Sequence, residues 1–410
     1  LRREVEPVTQ ADFVRFLLAW QRVDPDGHAE GADSLAALVA QLEGFEAAAG
    51  AWEEEILPAR MKQYDPAWLD GLSLAGRFVW GRALAPEPGG GRKNGPVRST
   101  PIALLGRSRL RHWREAVPAA APADLDLSAG ARAVFEVLLG QGASFFGEIA
   151  DAAGLLHTQV EMALAELVAW GLVTADSFSG LRALLVPAHK RPSFDRAARR
   201  RAAPSPFGME NAGRWSLLRP APAVAPPPVD GPSPEAAEMI ARTLLLRYGV
   251  IFRRLLERET LLPPWRDLQS VLRRLEARGE IRGGRFVDGF SGEQYALPDA
   301  VGRLRAVRKE PKKGTLVSVS GADPLNLVGI ATPGDKLGAL PANRLLWRDG
   351  EPLAVLEGRE TRFLADLDAT TRWQAQNALV RRGTGGPPQG HTGRQRPQGP
   401  PARGLRPWSP

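Results

Sequence analysis

The fold class that the sequence predicts is α+β in several domains, and three observations indicate it. A chain of 410 residues has room for roughly two to four domains. Two segments repeat an order of three amphipathic helices and a β-hairpin, which is the order of a winged helix. A later segment changes to short alternating strands. We therefore predict tandem winged-helix domains followed by a small β-barrel.

Composition and charge limit the classes of function that the chain can have. The chain has no cysteine and five histidines, which excludes disulfides, cysteine-ligated metals and a thiol nucleophile and makes a histidine metal site unexpected. The net charge of +8 is carried mainly by arginine and favours a polyanionic partner. No apolar run reaches the roughly 18 residues of a membrane span, and the amino terminus lacks an apolar signal segment. We expect a cytoplasmic protein without a membrane partner. Because the sequence begins with Leu1, we also expect a fragment.

Regions rich in proline, glycine or arginine divide the chain into blocks. The stretches at 85–96, 219–234 and 383–410 have too few apolar residues to pack, and 189–201 is strongly basic. The predicted domains are a helical block over 1–115 with a diverged winged helix near 35–110, a winged helix over 125–190, a basic and Pro-rich linker over 191–234, a winged helix over 235–300, a β-barrel with a terminal helix over 312–382, and a disordered tail over 383–410.

The block at 125–190 has the order of a winged helix. Helices are predicted over 127–139 and 146–153. A third helix begins with a capping box formed by Thr158 and Glu161. Its apolar residues recur at helical spacing and predict one buried face: Val160, Leu164, Leu167 and Val168. Strands over 172–175 and 181–186 then complete the hairpin.

The block at 235–300 repeats this order. Helices are predicted over 235–248, 252–259 and 265–278, followed by hairpin strands over 280–282 and 285–287 and a further strand over 294–297. The third helix has a buried stripe with the spacing i, i+3, i+4, i+7: Leu268, Val271, Leu272 and Leu275.

In the block at 312–382, the hydrophobic pattern changes to the two-residue period of β-strands. Asp349-Gly350 lies between the apolar runs 343–348 and 351–356, and this dipeptide is a strong hairpin signal. Further strands are predicted over 316–320 and 361–364, with a helix over 364–381. Short strands at close spacing favour a barrel or a sandwich.

Motifs for common enzyme chemistry are missing from the sequence. The glycine-rich segment 90–95 lacks the Gly-Lys-Ser/Thr ending of a phosphate-binding loop, and the sequence has no Gly-x-Ser-x-Gly and no His-Glu-x-x-His. The sequence is therefore not that of a recognisable NTPase, serine hydrolase or zinc enzyme. We expect no metal or cofactor in this chain.

The two predicted winged helices differ in charge on the third helix. In the block at 125–190 it presents His157, Gln159, Glu161 and Glu166, which would repel phosphate, so a scaffold or subunit contact is expected there. In the block at 235–300, the third helix and the hairpin carry residues that pair with phosphates and base edges: Arg266, Gln269, Arg273, Arg274, Arg278 and Arg285. We predict the nucleic-acid interface at these residues. A solvated arginine-rich face is the alternative.

Several motifs resemble those of one family, the Lhr (long helicase-related) proteins, in their carboxyl-terminal region. The similarity covers roughly 1–365. It is carried by Phe16-Leu17-Leu18-x-Trp20-Gln21, Trp52-Glu53, Leu57-Pro58-Ala59-Arg60, Trp265-Arg266-Asp267-Leu268, residues 279–287, residues 289–298, residues 322–329 and Asn343-Arg344.

This resemblance implies a function. Lhr proteins are ATP-dependent 3′-to-5′ DNA helicases linked to DNA repair, and their ATPase core precedes a long extension. ATP and Mg²⁺ would belong to that core, which this chain lacks. The extension is similar to YcaQ/AlkZ-type DNA glycosylases, forms homo-oligomers (tetramers in some members), and has been credited with uracil-DNA glycosylase activity. We expect a DNA-binding, self-associating extension. The alternatives are a DNA glycosylase in its own right and a winged-helix transcription regulator.

Glycosylase chemistry would need a carboxylate or amide that orients water and stabilises positive charge on the sugar. The candidates within the matched motifs are Asp323, Glu293 and Gln294. The competing interpretations are an Asx-turn for Asp323 and an ion pair, for example with Arg285, for Glu293. Gln374-Ala375-Gln376 has the Gln-x-Gln spacing of YcaQ-type enzymes but lies outside the matched region, and we interpret it as coincidence.

Overall fold

The structure is a computed structural model that describes residues 6–83, 97–116, 126–186, 209, 212–218 and 232–380. The predicted loop at 85–96, the basic stretch at 189–201, most of the Pro-rich stretch at 219–234 and the tail after 382 lie outside these residues.

The described residues form helices and strands that we number in chain order. The helices are α1 (Gln10–Trp20), α2 (Gly31–Gln41), α3 (Pro66–Leu74), α4 (Leu110–Ala116), α5 (Ala129–Gln141), α6 (Phe146–Ala153), α7 (His157–Ala169), α8 (Phe178–Leu185), α9 (Pro234–Tyr248), α10 (Trp265–Ala277), α11 (Pro298–Lys309) and α12 (Ala369–Val380). The strands are β1 (Ala47–Ala48), β2 (Phe78–Gly81), β3 (Pro101–Gly106), β4 (Ser144–Phe145), β5 (Val173–Ala175), β6 (Arg214–Leu217), β7 (Val250–Ile251), β8 (Arg282–Gly284), β9 (Gln294–Ala296), β10 (Leu316–Ser320), β11 (Arg344–Arg348), β12 (Glu351–Glu357) and β13 (Glu360–Phe363).

One topology occurs three times. Each unit has a helix, a short strand, a helix or helical turn, a third helix and two more strands, and the last strand pairs antiparallel with both others. The first unit (31–106) has the sheet order β1-β3-β2, the second (129–217) β4-β6-β5, and the third (234–296) β7-β9-β8. This is the winged-helix plan. The diverged copy predicted near 35–110 has it too.

The hairpin predicted for the second unit is wrong in its second strand. Residues 181–186 were expected to be extended, but they belong mostly to α8. Phe178, Leu181 and Leu184 recur every three residues, so a helix buries all three on one face. The strand that completes the sheet is β6, which lies inside the range predicted as linker, 191–234.

The start of α7 also differs from the prediction. The helix begins at His157, and the backbone N–H of Leu156 donates to Oε1 of Gln159 at 2.9 Å. The predicted capping box of Thr158 and Glu161 is therefore wrong, because the helix starts before Thr158. Glu161 was expected on the exposed face, yet it is only 6% exposed.

In the third unit the first and third helices are confirmed and the hairpin is displaced. Gly283 and Gly284 were expected in the turn but lie in strand β8, which pairs with β9. Residues 285–287 were expected to be a strand, but they lie in the loop that follows. The second helix shortens to a 3-10 turn at Leu255–Arg258. An additional helix that was not predicted, α11, follows β9 and packs on α1.

The last block is an open antiparallel sheet of order β10-β11-β12-β13. Asp349 and Gly350 form the predicted hairpin turn with φ angles of 49° and 81°, which this turn requires. Residues 312–380 are all described, and within them β10 and β13 are opposite edges that do not pair. The predicted closed barrel is therefore not found. Helix α12 begins at Ala369, five residues later than predicted, and covers one face of the sheet through Ala375 and Leu379.

Two large hydrophobic cores organise the molecule. One joins the first and second units. The other joins α1, the third unit and the inner face of the last sheet. The third unit is therefore packed against α1 on one side and the sheet on another, which leaves its third helix at the surface.

Candidate nucleic-acid interface

Helix α10 is amphipathic, and its two faces have different roles. The chain enters it through Pro263 and Pro264, and proline at a helix start costs no hydrogen bond. The predicted stripe is confirmed as buried: Leu268, Val271, Leu272 and Leu275. On the outer face Arg266, Arg273 and Arg274 are exposed to solvent.

The guanidinium groups of the third unit fall into two sets. Arg274 on α10, Arg282 on β8 and Arg285 in the following loop are exposed and have no carboxylate partner among the described residues. Arg278 instead pairs with Glu238 on α9 and with Glu280, at 2.8 and 2.7 Å. These three lie on the third helix and the wing; Arg253, just after β7, is also exposed without a carboxylate partner among the described residues.

Glu293 brings together two of the predicted binding residues. Its Oε2 accepts hydrogen bonds from Tyr295 Oη at 2.7 Å, Gln269 Nε2 at 3.1 Å and Arg273 at 3.2 Å. These donors, with the Tyr295 hydroxyl first, lower the pKa of Glu293, while burial and Glu293 raise the pKa of Tyr295 to about 12. The ion pair expected for Glu293 exists, but with Arg273 rather than Arg285.

Gln294 lies beside Glu293 and has a different environment. It is completely buried, and its Oε1 accepts from the backbone N–H groups of Phe286 and Val287, each at 2.8 Å. Its Nε2 donates to the carbonyl of Val287, also at 2.8 Å. The amide of Gln294 therefore fixes the loop that carries Arg285.

Asp323 does not belong to this face; it lies in the last block, just after strand β10. It is 1% exposed and forms a two-bond ion pair with the buried Arg60, at 2.7 and 2.9 Å. Its Oδ1 also accepts from the backbone N–H of Leu325 at 2.9 Å, which makes the Asx-turn that was the competing interpretation. Arg60 in turn donates to Gln21 Oε1 at 2.9 Å.

We call Gln21, Arg60, Arg258 and Asp323 the junction, because they connect α1, the first unit, the third unit and the last block. Arg258 donates to the backbone carbonyl of Asp323 at 2.9 Å, and burial lowers the pKa of Arg258. Sequence reasoning did not assign Gln21 and Arg60 to any site, although both stand in the motifs that carry the family resemblance.

Further arginines connect the units around the junction. The helical turn Trp52–Ile56 contains three consecutive glutamates, and each pairs with an arginine from a different part of the chain. The pairs are Glu53 with Arg182, Glu54 with Arg98, and Glu55 with Arg344. The pairs of Glu53 and Glu55 therefore connect the first unit to the second unit and to the last block, whereas the pair of Glu54 lies within the first unit.

The polar residues of α7 make their hydrogen bonds and ring contacts within the second unit. The carboxylate of Glu166 accepts from the backbone N–H and hydroxyl of Ser128 at 2.8 and 2.6 Å, and the ring of His157 contacts Phe146 edge-on. Gln159 caps the helix. Helix α7 has no lysine or arginine. The predicted contrast with α10 is therefore visible in the structure, except that Glu161 is buried.

Within the described ranges, His, Asp and Glu nowhere group in threes to form a metal site. None of the helices in this part of the chain has the length and apolar character needed to cross a membrane. Gln374 and Gln376 both lie on the exposed surface of α12.

The repeated topology defines a tandem winged-helix protein, in which the third helix of the third unit carries exposed arginines. Residues 230–316 and 8–102 each match a winged-helix domain of the large helicase-related (Lhr) protein, the fourth and third such domains respectively. The chain carries Lhr winged-helix domains and is homologous to the carboxyl-terminal part of Lhr helicase/uracil glycosylase proteins, as the sequence motifs predicted.

Two relatives cover most of this chain. The "Lhr helicase/ probable uracil glycosylase" of Mycolicibacterium smegmatis is 30% identical over 403 residues, which is 90% of this chain and 25% of the relative. The "Lhr helicase/uracil glycosylase" of Escherichia coli is 30% identical over 400 residues, 87% of this chain and 24% of the relative. The chain spans about a quarter of these relatives' length.

One solved structure is similar over most of its length. The DNA glycosylase AlkZ of Streptomyces sahachiroi has a TM-score of 0.49 and 14% identity, with 92% of this chain and 97% of that chain covered.

Proposed function

We propose that this chain binds DNA through α10 and the wing of the third unit, mainly by phosphate contacts and with little sequence preference. The observation that carries the proposal is a set of exposed arginines on α10 and the wing that have no acidic partner among the described residues: Arg274, Arg282 and Arg285. In three-helix forms of the helix-turn-helix fold, the third helix enters the major groove. Arginines there pair with phosphate oxygens and guanine edges.

The arrangement around Glu293 supports this proposal. Gln269 and Arg273 are held side by side on one carboxylate oxygen, so both donors are oriented before any ligand arrives. A DNA phosphate or base edge can replace the carboxylate as acceptor. Fixing side chains in advance lowers the entropy lost on binding.

A charge reversal on the third unit tests the proposal. We expect Arg274→Glu with Arg285→Glu to weaken binding to a random duplex about 100-fold, since each charge-assisted contact contributes roughly 1.5 kcal/mol or more. The slope of log K against log salt should become less steep by about two. Fluorescence anisotropy at several salt concentrations measures both quantities.

The matched control is Arg305→Glu with Lys309→Glu on α11, where both side chains are also exposed and without acidic partners in the described residues. Both double variants change the net charge equally. An equal loss in the two would contradict the proposed interface. A strong preference of the wild-type chain for one palindromic site would favour a transcription regulator.

The relatives are named helicases, and this chain matches about a quarter of each. We propose that it is the DNA-binding extension of such a helicase in DNA repair and does not itself hydrolyse ATP. DNA-stimulated ATP hydrolysis by the purified chain would contradict this. Self-association and a cytoplasmic location stay predictions, and sedimentation of the purified chain measures the first.

Uracil-DNA glycosylase activity is a second candidate, because both relatives carry the words "uracil glycosylase" in their names. Of the three predicted catalytic residues, Glu293 fits best. Its side chain is 39% exposed beside the arginines of α10, and its lowered pKa keeps it ionised. It could orient water or stabilise positive charge on the sugar. Asp323 and Gln294 make their bonds inside the protein, which supports structural roles for both.

Release of uracil from a labelled oligonucleotide tests this candidate. If the wild-type chain is active, Glu293→Gln should slow release roughly 10²- to 10⁴-fold, and DNA affinity should not fall. Full activity in this variant would remove Glu293 from the mechanism. No release by the wild-type chain would leave DNA binding as the function.

A further inference from the structure

A cavity of about 390 Å³ opens on the first unit, far along the chain from the arginines of the third unit. Its floor is apolar and comes from α2, α3 and β2, with Val39, Leu72 and Phe78 among the lining residues. Ala36 and Ala40 stand one turn apart on α2 and also line it, so only short side chains project from that part of the floor. The volume lies within the range of small-ligand sites.

The rim of this cavity is basic. Arg77 and Ser108 line it, are exposed, and have no side-chain partner among the described residues. Arg107 is also exposed without an acidic partner in that part of the chain, and its side chain packs over Gly76, a further lining residue. The side chains of Arg77, Arg107 and Ser108 are therefore available to donate hydrogen bonds to a ligand at this rim.

A third guanidinium is fixed at the rim by Glu43. The buried Glu43 carboxylate accepts from Gly106 N at 2.9 Å and from Trp113 Nε1 at 2.8 Å, and its other oxygen pairs with Arg109. A Cβ on Gly106 would lie 2.9 Å from Glu43 Oε1, so glycine is needed for this approach. Glu43 offsets one of the three guanidinium charges and leaves a surplus of two.

We propose that this cavity binds a nucleotide that carries a terminal phosphomonoester. The phosphate would lie between Arg77, Arg107 and the Ser108 hydroxyl, and the base would lie on the apolar floor. A phosphomonoester carries a charge of about −1.5 to −2 at pH 7, which matches the surplus at the rim. Guanidinium groups are suited to phosphate because they bond two oxygens at once.

The same chemistry has two sources, a free nucleotide and the terminal nucleotide of a DNA strand. Neither depends on the arginines of the third unit. The proposal therefore goes beyond the DNA-binding function and can fail separately from it.

Isothermal titration of the whole chain with dAMP, deoxyadenosine and inorganic phosphate tests the site. At about 10 mM ligand, which detects dissociation constants near 1 mM, we expect dAMP to bind and the other two to bind at least about tenfold more weakly. Arg77→Glu with Arg107→Glu should weaken dAMP binding at least about tenfold. Ala40→Trp, which fills the floor, should do the same.

The controls separate this site from the DNA face. Arg305→Glu and the double variant Arg274→Glu with Arg285→Glu should leave dAMP affinity unchanged. The circular dichroism melting curve reports whether Ala40→Trp still folds, and the arginine pair is exposed, so its replacement tests the site independently. Absence of dAMP binding, or binding that the Arg77 and Arg107 reversals do not change, would overturn the proposal.

Oligonucleotides with and without a 5′-phosphate distinguish the two sources. If the phosphorylated strand displaces dAMP at a lower concentration, the site takes a strand end. If neither strand displaces dAMP, the site takes the free nucleotide. Both results support the site, because dAMP binding has already been measured.

Discussion

Arginine has opposite environments in the junction and on the third unit. In the junction, Arg60 is buried and bonded to Asp323, Gln21 and a backbone carbonyl. On the third unit, Arg274 and Arg285 are exposed with no acidic partner among the described residues. The number of arginines alone therefore does not locate a DNA-binding surface. A guanidinium that is already neutralised is not available to DNA, and among the free ones the position on the third helix and the wing favours Arg274 and Arg285.

The two environments follow from the difference in solvent exposure between the two regions. Around the junction, four parts of the chain meet, and a charge buried there is tolerated only with a partner. At the third unit, the buried stripe of α10 faces inward and leaves the outer face in water, where an unpaired arginine costs little. The first region stabilises the arrangement of domains, and the second is available to a polyanion.

The largest expected effect is a loss of folding stability when the junction is changed. Asp323→Asn would leave the Arg60 guanidinium buried without a countercharge, so we expect the free energy of unfolding to fall by about 3–5 kcal/mol. Urea denaturation followed by circular dichroism measures this.

The control for Asp323→Asn is Glu351→Gln, which breaks an exposed pair with Lys312 and should cost less than about 1 kcal/mol. If Asp323→Asn keeps full stability but abolishes uracil release, the role of Asp323 is catalytic, and the contrast between the two regions fails.

A smaller effect is expected at Glu293, the carboxylate that lies on the open face. Glu293→Gln removes a negative charge beside the DNA surface, while the glutamine oxygen can still accept from Arg273, so we expect DNA affinity to rise about fivefold, roughly 1 kcal/mol. Fluorescence anisotropy against the wild type measures this. A fall in affinity would mean that Glu293 acts mainly by holding Arg273 in place.

The pKa of Glu293 sets the pH dependence of this effect. Because hydrogen bonds from Tyr295 and Arg273 lower that pKa below its usual value near 4.3, the carboxylate stays ionised at neutral pH. Its contribution to stability is present above the unfolded pKa and is lost as the pH falls through the lowered folded pKa. The affinity difference between wild type and Glu293→Gln should therefore be constant from about pH 6 to 8.

The sequence predicted helices and turns correctly where a single hydrophobic periodicity or a clear turn dipeptide dominates the segment. Helices α9 and α10 and the Asp349-Gly350 turn lie where periodicity and turn chemistry placed them. Residues 181–186 were mistaken for a strand because a short apolar run fits both a strand and a helix. Barrel closure was also wrong, since strand spacing does not determine whether the two edge strands meet.

The candidate site was predictable only as residue types. The arginines of α10 follow from helical spacing, so they could be identified from the sequence. The partner of Asp323 could not, because Arg60 lies 263 residues away along the chain. Burial and pairing over such separations depend on how the units pack, and this decided which of the predicted carboxylates remains accessible.

The smallest effect is expected on α7, the third helix of the second unit, and it tests whether the correct winged helix was chosen. His157→Glu with Gln159→Glu adds two negative charges there. The fold should survive, because a glutamate at 159 can still accept from the backbone N–H of Leu156, and acidic groups stabilise a helix start. At physiological salt, exposed charges are screened over about 8 Å, so DNA on the third unit should not sense the change. We expect the affinity measured by anisotropy to stay within about twofold of the wild type. A loss as large as that of Arg274→Glu with Arg285→Glu would place the DNA on the second unit, in spite of its lack of arginine and lysine on α7.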